Sequence, residues 1–300
     1  MRALSLAVLG GLSLLALWLW GFGGDDMIFR WAGALQRETQ NAMAVSLRAL
    51  RRGEPGALLT LWGLCATYGF VHAAGPGHGK VVIGGYGLGA RVAARRLMGL
   101  ALLSSLAQAA VAVVLTLAAL GLLGWGRERL TGAAERVMAP TSYGLIACLG
   151  LWILVRGVRS ALAHRRSGHA THDHTHVCAT CGHAHAPTAE EAADATGWRD
   201  VLAIVAVIAV RPCTGAIFLL ILTHALGLLW AGIVGTFVMG IGTAAFTAVV
   251  AMASVGLRES AVAQVAGAEA TQRLLAAGQI LAGGVIAGLA VQLLSRSLGL

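Results

Sequence analysis

Residues 212–257 read PCTGAIFLLILTHALGLLWAGIVGTFVMGIGTAAFTAVVAMASVGL, a stretch without a single Asp, Glu, Lys or Arg. A helix needs about 20 apolar residues to cross the hydrocarbon core of a bilayer. This stretch is therefore long enough for one span and most of another, and adding 201–210, just before Arg211, completes two. Further charge-free runs lie at 3–24, 55–79, 97–126, 137–155 and 274–295. The fold class that follows is all-α, a polytopic transmembrane helix bundle of six to seven spans. They are expected near 4–22, 57–79, 98–124, 139–157, 201–223, 231–255 and 274–295.

Composition agrees. The 300 residues are 57% hydrophobic and 12% charged, whereas soluble domains carry roughly a quarter charged residues; mean hydropathy is +0.77. Many of the 41 glycines sit inside apolar runs, which points to close helix packing. The net charge of +9 comes from short basic clusters beside apolar segments, a pattern that suits membrane orientation and anionic lipid, not a nucleic-acid partner. The five cysteines are scattered except for one pair, so no disulfide framework is implied.

The run at 3–24 starts after Arg2 and lacks a small-x-small cleavage site before Gly21-Phe-Gly-Gly24, so an uncleaved signal anchor is expected. Over residues 28–52, Ile28, Trp31, Leu35, Met43, Leu47 and Leu50 recur at helical spacing, with Arg30, Arg37, Glu38, Arg48, Arg51 and Arg52 mostly opposite. That predicts an amphipathic helix at the membrane surface or against the bundle. With a cytoplasmic N-terminus, twelve basic residues fall inside and nine outside. This modest bias favours that orientation, and in either orientation the 80–96 segment and the 156–200 loop lie on one side. The organisation expected is an anchor at 1–24, an amphipathic helix at 25–56, a three-span half at 57–163, a loop at 164–200 and a second three-span half at 201–300.

All thirteen acidic residues lie outside the expected spans, and seven of the ten histidines crowd one loop. His72, His78 and His224 lie in or at the edge of apolar segments. Ionisable groups at membrane depth mark pathways or binding sites, although a lone histidine such as His224 could equally serve a neighbouring helix through a hydrogen bond. His72 and His78 belong to His72-Ala-Ala-Gly75-Pro76-Gly77-His78-Gly79-Lys80. Pro76 lacks a donor and the glycines relieve steric limits, so a continuous helix through this motif is not expected. A kink at Gly75-Pro76-Gly77 could bring both imidazoles to one point. Imidazole ligands suit Zn, Cu, Co, Ni and Fe, and without carboxylates the site disfavours Mg and Ca.

A second break is expected at Arg211-Pro212-Cys213-Thr214-Gly215, in the first helix of the second half. Paired Pro-interrupted helices in corresponding positions of two halves point to a transporter's binding site and to a 3+3 inverted repeat. Cys213 and His224 are eleven residues apart, about 16 Å along one helix, which suits successive stations and not one coordination shell. The loop carries His169, His172, His174, His176, Cys178, Cys181, His183 and His185. Such tracts bind soft or borderline divalent metals. A zinc ribbon would need a second Cys-x-x-Cys, so a flexible metal-collecting loop is preferred.

The His72 to Lys80 motif, the preceding Leu47-Arg48-Ala49-Leu50, the Arg211 to Ala216 segment and Gly240-Ile-Gly-Thr243-Ala together resemble the nickel/cobalt transporter superfamily. The likeness is greatest to the NicO/RcnA-like efflux proteins and extends over residues 28–295. The resemblance implies a multi-pass protein of the bacterial inner membrane that moves Ni²⁺ or Co²⁺, usually outward, with metal-binding histidines on the motif-bearing helix. Related uptake permeases carry His-x4-Asp-His; here no Asp accompanies His78, which argues against high-affinity uptake.

No Gly-x4-Gly-Lys-Ser/Thr phosphate loop is present, so ATP is not expected to drive transport within this chain. Nor is there His-Glu-x-x-His or an acid within a span, which argues against an intramembrane metalloenzyme. No prosthetic group is expected. The partners expected are divalent metal ions, Ni²⁺ and Co²⁺ first and Zn²⁺ after them, and the lipid bilayer. The alternatives are an uptake permease and a membrane-anchored metal sensor whose spans only hold the loop in place.

Overall fold

The computed structural model describes residues 22, 24–74, 78–89, 92–124, 126–167, 198–263 and 268–298. In chain order the helices are α1 (Gly24–Arg51), α2 (Ala57–Ala74), α3 (His78–Gly89), α4 (Ala94–Gly121), α5 (Arg127–Ala133), a π-helical turn (Ala134–Met138), α6 (Ala139–Ser167), α7 (Trp198–Ala209), α8 (Thr214–Ala225), α9 (Leu229–Ala263) and α10 (Ala268–Leu298). The described residues contain no strand. Five helical runs among them are long and apolar enough to cross a membrane, and α7 with α8, bent by 59°, makes a sixth if the pair is one span. The spans expected between 57 and 295 are thus present, while the one expected at 4–22 lies outside the described residues.

Both expected breaks have the same form. Helix α2 ends at Ala74 and α3 begins at His78; α7 ends at Ala209 and α8 begins at Thr214. Each second half-helix starts two residues after its proline, Pro76 or Pro212, carries glycine at its second position, and is 12 residues long. One expectation needs correction: the segment after residue 79 is not a simple connection. Helix α3 runs on to Gly89 and packs against α9 and α10. Its Ile83 and Tyr86 are buried in a core cluster with Leu97, Ile146 and Ile286. The fit depends on missing side chains, since a Cβ at Gly85 would lie 2.6 Å from Ile286 Cδ1. At and just past the end of α3, Arg258 of α9 donates to the carbonyls of Gly87 at 3.0 Å and Val92 at 3.2 Å.

The two halves interlock. The broken helix of the first half, α2 with α3, lies along α9 of the second, and the broken helix of the second, α7 with α8, packs on α4 of the first. Helices α4 and α9 pair with each other, as do α6 and α10. Small residues set the spacing. Added Cβ atoms at Gly69 and Gly242 would run into the carbonyls of Met239 and Ala66, and Thr243 donates to the Gly69 carbonyl at 3.1 Å. Between α6 and α10, Gly150 faces the backbone of Ala287, and Gly283 that of Leu154. Pro140 has no N–H to donate, and the π-helical turn accommodates it just upstream.

Helix α1 takes the second of its two expected placements, against the bundle, and runs antiparallel to α2. Ser46 Oγ donates to Ala57 O at 2.9 Å, Cys65 Sγ lies 3.7 Å from Met43 Sδ, Gln40 reaches Tyr68 and Gln36 reaches His72. Glu38 and Arg37, both exposed, stand on α1 between Gln36 and Gln40, level with the second half of α2.

Candidate metal centre

The last turns of α2 carry Tyr68 and His72, four residues apart and hence on one face. Their rings stack with centroids 5.7 Å apart and planes 9° from parallel. Tyr68 is 1% exposed. Helix α1 supplies a matching pair at the same spacing. Gln36 Oε1 lies 3.2 Å from His72 Nδ1, and Gln40 Nε2 donates to the Tyr68 hydroxyl at 3.2 Å. When Nδ1–H donates to the Gln36 oxygen, Nε2 carries the lone pair available to a metal.

The second break meets this corner. Cys213 is the N-cap residue of α8; its thiol interacts with His72, and the Thr214 side chain with Tyr68. Gly215 makes the approach possible, because a Cβ there would lie 2.6 Å from Tyr68 Oη and closer still to the ring carbons. On the other side of the break, Gln108 Nε2 donates to the Arg211 carbonyl at 2.7 Å. Arg211 Nη1 donates to Tyr143 Oη at 2.6 Å, with its guanidinium carbon 5.2 Å from that ring's centroid.

The helices leading into both breaks lie beside the middle of a long helix. Phe70 meets Phe246 edge to face at 5.3 Å, near the middle of α9, and Gln108 lies at the middle of α4. The structure thus brings together His72, Cys213, Thr214 and Gly215, with Pro212 and Arg211 adjoining. It does not bring His224 to them: that residue is exposed in the last turn of α8, at the opposite end from Cys213. His78, Gly79 and Lys80 form the first turn of α3, with their side chains outside the described residues, as are Gly75, Pro76, Gly77 and the whole metal-binding loop from His169 to His185. Among the described residues no three His, Cys, Asp or Glu side chains converge.

Three contributors were not singled out from the sequence: Gln36, Gln40 and Tyr68. The only available signal was the paired i, i+4 spacing of Gln36 with Gln40 and Tyr68 with His72. Chemically the corner offers one imidazole and one thiol, a donor set for Zn, Co, Ni or Cu and not for Mg or Ca. Two protein ligands fall short of the four that close a structural zinc site, which suits an ion that binds and leaves.

The family model for NicO, described as "High-affinity nickel-transport protein", matches residues 58–177. A Haemophilus influenzae protein named "Putative nickel/cobalt efflux system" is 29% identical over 226 residues, covering 69% of this chain and 69% of its own length. Both findings support the NicO-like nickel/cobalt transporter family. The NicO match begins at the second residue of α2 and takes in His72 and His78, whereas Cys213 lies beyond its end. The sequence resemblance and the multi-pass helical architecture are both upheld. No solved structure matches the chain.

Proposed function

We propose that this NicO-like protein is a secondary transporter of the bacterial inner membrane that exports Ni²⁺ and Co²⁺. The observation that carries the reading is the meeting of His72, near the end of α2, with Cys213, at the start of α8. Metal ions pass through a station formed by the His72 imidazole and the Cys213 thiol, with His78 at the start of α3 as a further donor and His224 as a separate station at the far end of α8. Ends of broken helices are where transporters place ion sites. The 164–200 loop gathers metal on the cytoplasmic side. The efflux named for the H. influenzae relative supports the outward direction.

Metal binding requires a neutral imidazole and loss of the thiol proton, so loading competes with protons. Histidine changes charge between about pH 5 and 8, and acidification through that range withdraws the imidazole ligand. Export is therefore expected to weaken toward acid pH, and a rate constant across the range would contradict a histidine-based path.

The test is cell-associated metal in a strain lacking its own exporters, grown over a metal panel with and without the protein. The account expects lower Ni and Co content and greater tolerance. His72→Ala and Cys213→Ala, present in the membrane at parental amounts, remove both effects, and deletion of residues 164–190 only weakens them. Higher metal content with the protein would establish uptake instead; loss on loop deletion with His72→Ala unaffected would favour a sensor.

A further inference from the structure

Helices α1 and α2 meet through a ladder of three matched pairs. Cys65, Tyr68 and His72 recur at spacings of three and four on α2 and so share a face. Their partners on the antiparallel α1 recur in reverse order: Met43 at Cys65, Gln40 at Tyr68 and Gln36 at His72. Two of these rungs belong to the candidate metal centre. The remaining rung is a pair of soft donors that the centre does not use, about 10 Å along α2 from His72. Both side chains are 0% exposed, and the Cys65 thiol donates to Met43 Sδ at 3.7 Å. Two sulfurs at that separation can each lie about 2.3 Å from one metal ion, at a roughly tetrahedral angle. On the α9 side, Gly235 keeps any side chain off the thiol, since a Cβ there would lie 3.1 Å from Cys65 Sγ.

We propose that Met43 and Cys65 form a second metal site, for a soft monovalent cation of the Cu⁺ or Ag⁺ kind, reached along the seam of α1 and α2 from the His72 corner. Thiolate and thioether sulfur select soft metals. The thiol hydrogen already points from one sulfur to the other, so an incoming ion takes its place between them. The S–H bond breaks, a sulfur–metal bond forms, the proton leaves to water, and the thioether adds a lone pair without changing its charge. No electron is transferred. Charge then decides the valence, because the pair is packed in a cluster with Leu47, Leu61, Leu219 and Ala231. A monovalent ion exchanged for the proton leaves these apolar surroundings neutral, whereas a divalent ion leaves one uncompensated positive charge among them, which is costly. The site therefore differs from the station at His72 and Cys213 both in donor softness and in the charge it accepts. It stands whether or not Ni²⁺ and Co²⁺ pass that station.

The experiment is a silver(I) titration of the purified full chain with Cys148, Cys178, Cys181 and Cys213 replaced by Ser, so that Cys65 is the one remaining thiol; excess imidazole keeps the loop histidines from retaining silver. A thiolate-to-silver absorption band in the ultraviolet is expected to saturate at one ion per chain and to be absent in Cys65→Ala. Met43→Leu, a volume-conserving change, should move the midpoint to higher silver by about tenfold or more, since even an outer-shell partner of a metal is worth that much. Leu47→Val loosens the same seam one turn along α1 without removing a donor and should leave the midpoint in place. Co²⁺ at the same concentrations should give no thiolate band. In the otherwise unaltered chain Cys65→Ala should remove one equivalent of bound silver, which keeps the test independent of the Ser replacements. No saturable band, or no lost equivalent, overturns the proposal. So does a midpoint that Met43→Leu leaves unchanged, or that Met43→Leu and Leu47→Val shift equally, because Met43 then acts by packing alone. A cobalt band from Cys65 overturns the assignment to a soft monovalent ion.

Discussion

Replacing Gly215 by Ala should damage the candidate centre without touching a metal donor. The new methyl would sit 2.6 Å from Tyr68 Oη, roughly 1 Å inside the ordinary contact separation of about 3.5 Å. Tyr68 cannot easily yield. Its ring is buried, stacked on His72 at 5.7 Å and held by Gln40 at 3.2 Å. Overpacking of this kind costs about 1–3 kcal/mol, and the relieving movement must shift either the Tyr68 ring or the start of α8, which carries Cys213. Thermal unfolding of the purified protein measures the cost, and cell-associated nickel measures the consequence. Gly215→Ala should unfold at lower temperature and accumulate nickel. Adding Tyr68→Leu should recover part of the lost stability, because the two substitutions act on one contact and their effects are not additive. Unchanged unfolding in the single variant, or fully additive losses in the double, would refute the packing argument.

Other outcomes follow from the same contacts. Gly69→Val or Gly242→Val places a side chain against the carbonyl of Met239 or Ala66; backbone cannot move aside as a flexible side chain can, so the amount of folded protein in the membrane should fall sharply, as read by detergent-resistant monodisperse yield. Arg258→Ala leaves the carbonyls of Gly87 and Val92 without their donor, a loss expected to cost about 1–3 kcal/mol and to show as faster protease cleavage near residues 87–92. Gln36→Leu removes the acceptor at His72 Nδ1 and should weaken cobalt binding, whereas Gln36→Glu should preserve it and move its pH dependence, because a carboxylate accepts the same bond with added charge; identical pH profiles for the parent and Gln36→Glu would contradict that positioning role.

The spans were legible because hydropathy over some twenty residues responds to little else. The break at Pro212 was legible too, since proline leaves few options inside a helix. What escaped was whatever depended on one helix lying beside another. The charges on α1 left its placement open between the membrane surface and the bundle, and only the contacts of Ser46, Met43, Gln40 and Gln36 with α2 decide it. Tyr68 carried no signal of its own inside an apolar span, and only the packing of Gly215 on its ring shows that it belongs to this corner. His224 read as a lone imidazole in an apolar run and His72 as part of a motif, and the fold widens that difference: the end of a helix at one, and Gln36, Tyr68 and Cys213 at the other.

The central claim, that His72 and Cys213 form one metal station, is tested most directly by the absorption spectrum of Co²⁺ titrated into the purified protein lacking residues 164–190, so that the loop contributes nothing. A thiolate-to-cobalt charge-transfer band should grow to saturation and be absent in Cys213→Ser. In His72→Ala the band should require much higher cobalt and show altered d–d transitions. A band that survives Cys213→Ser, or an unchanged titration of His72→Ala, would contradict the account.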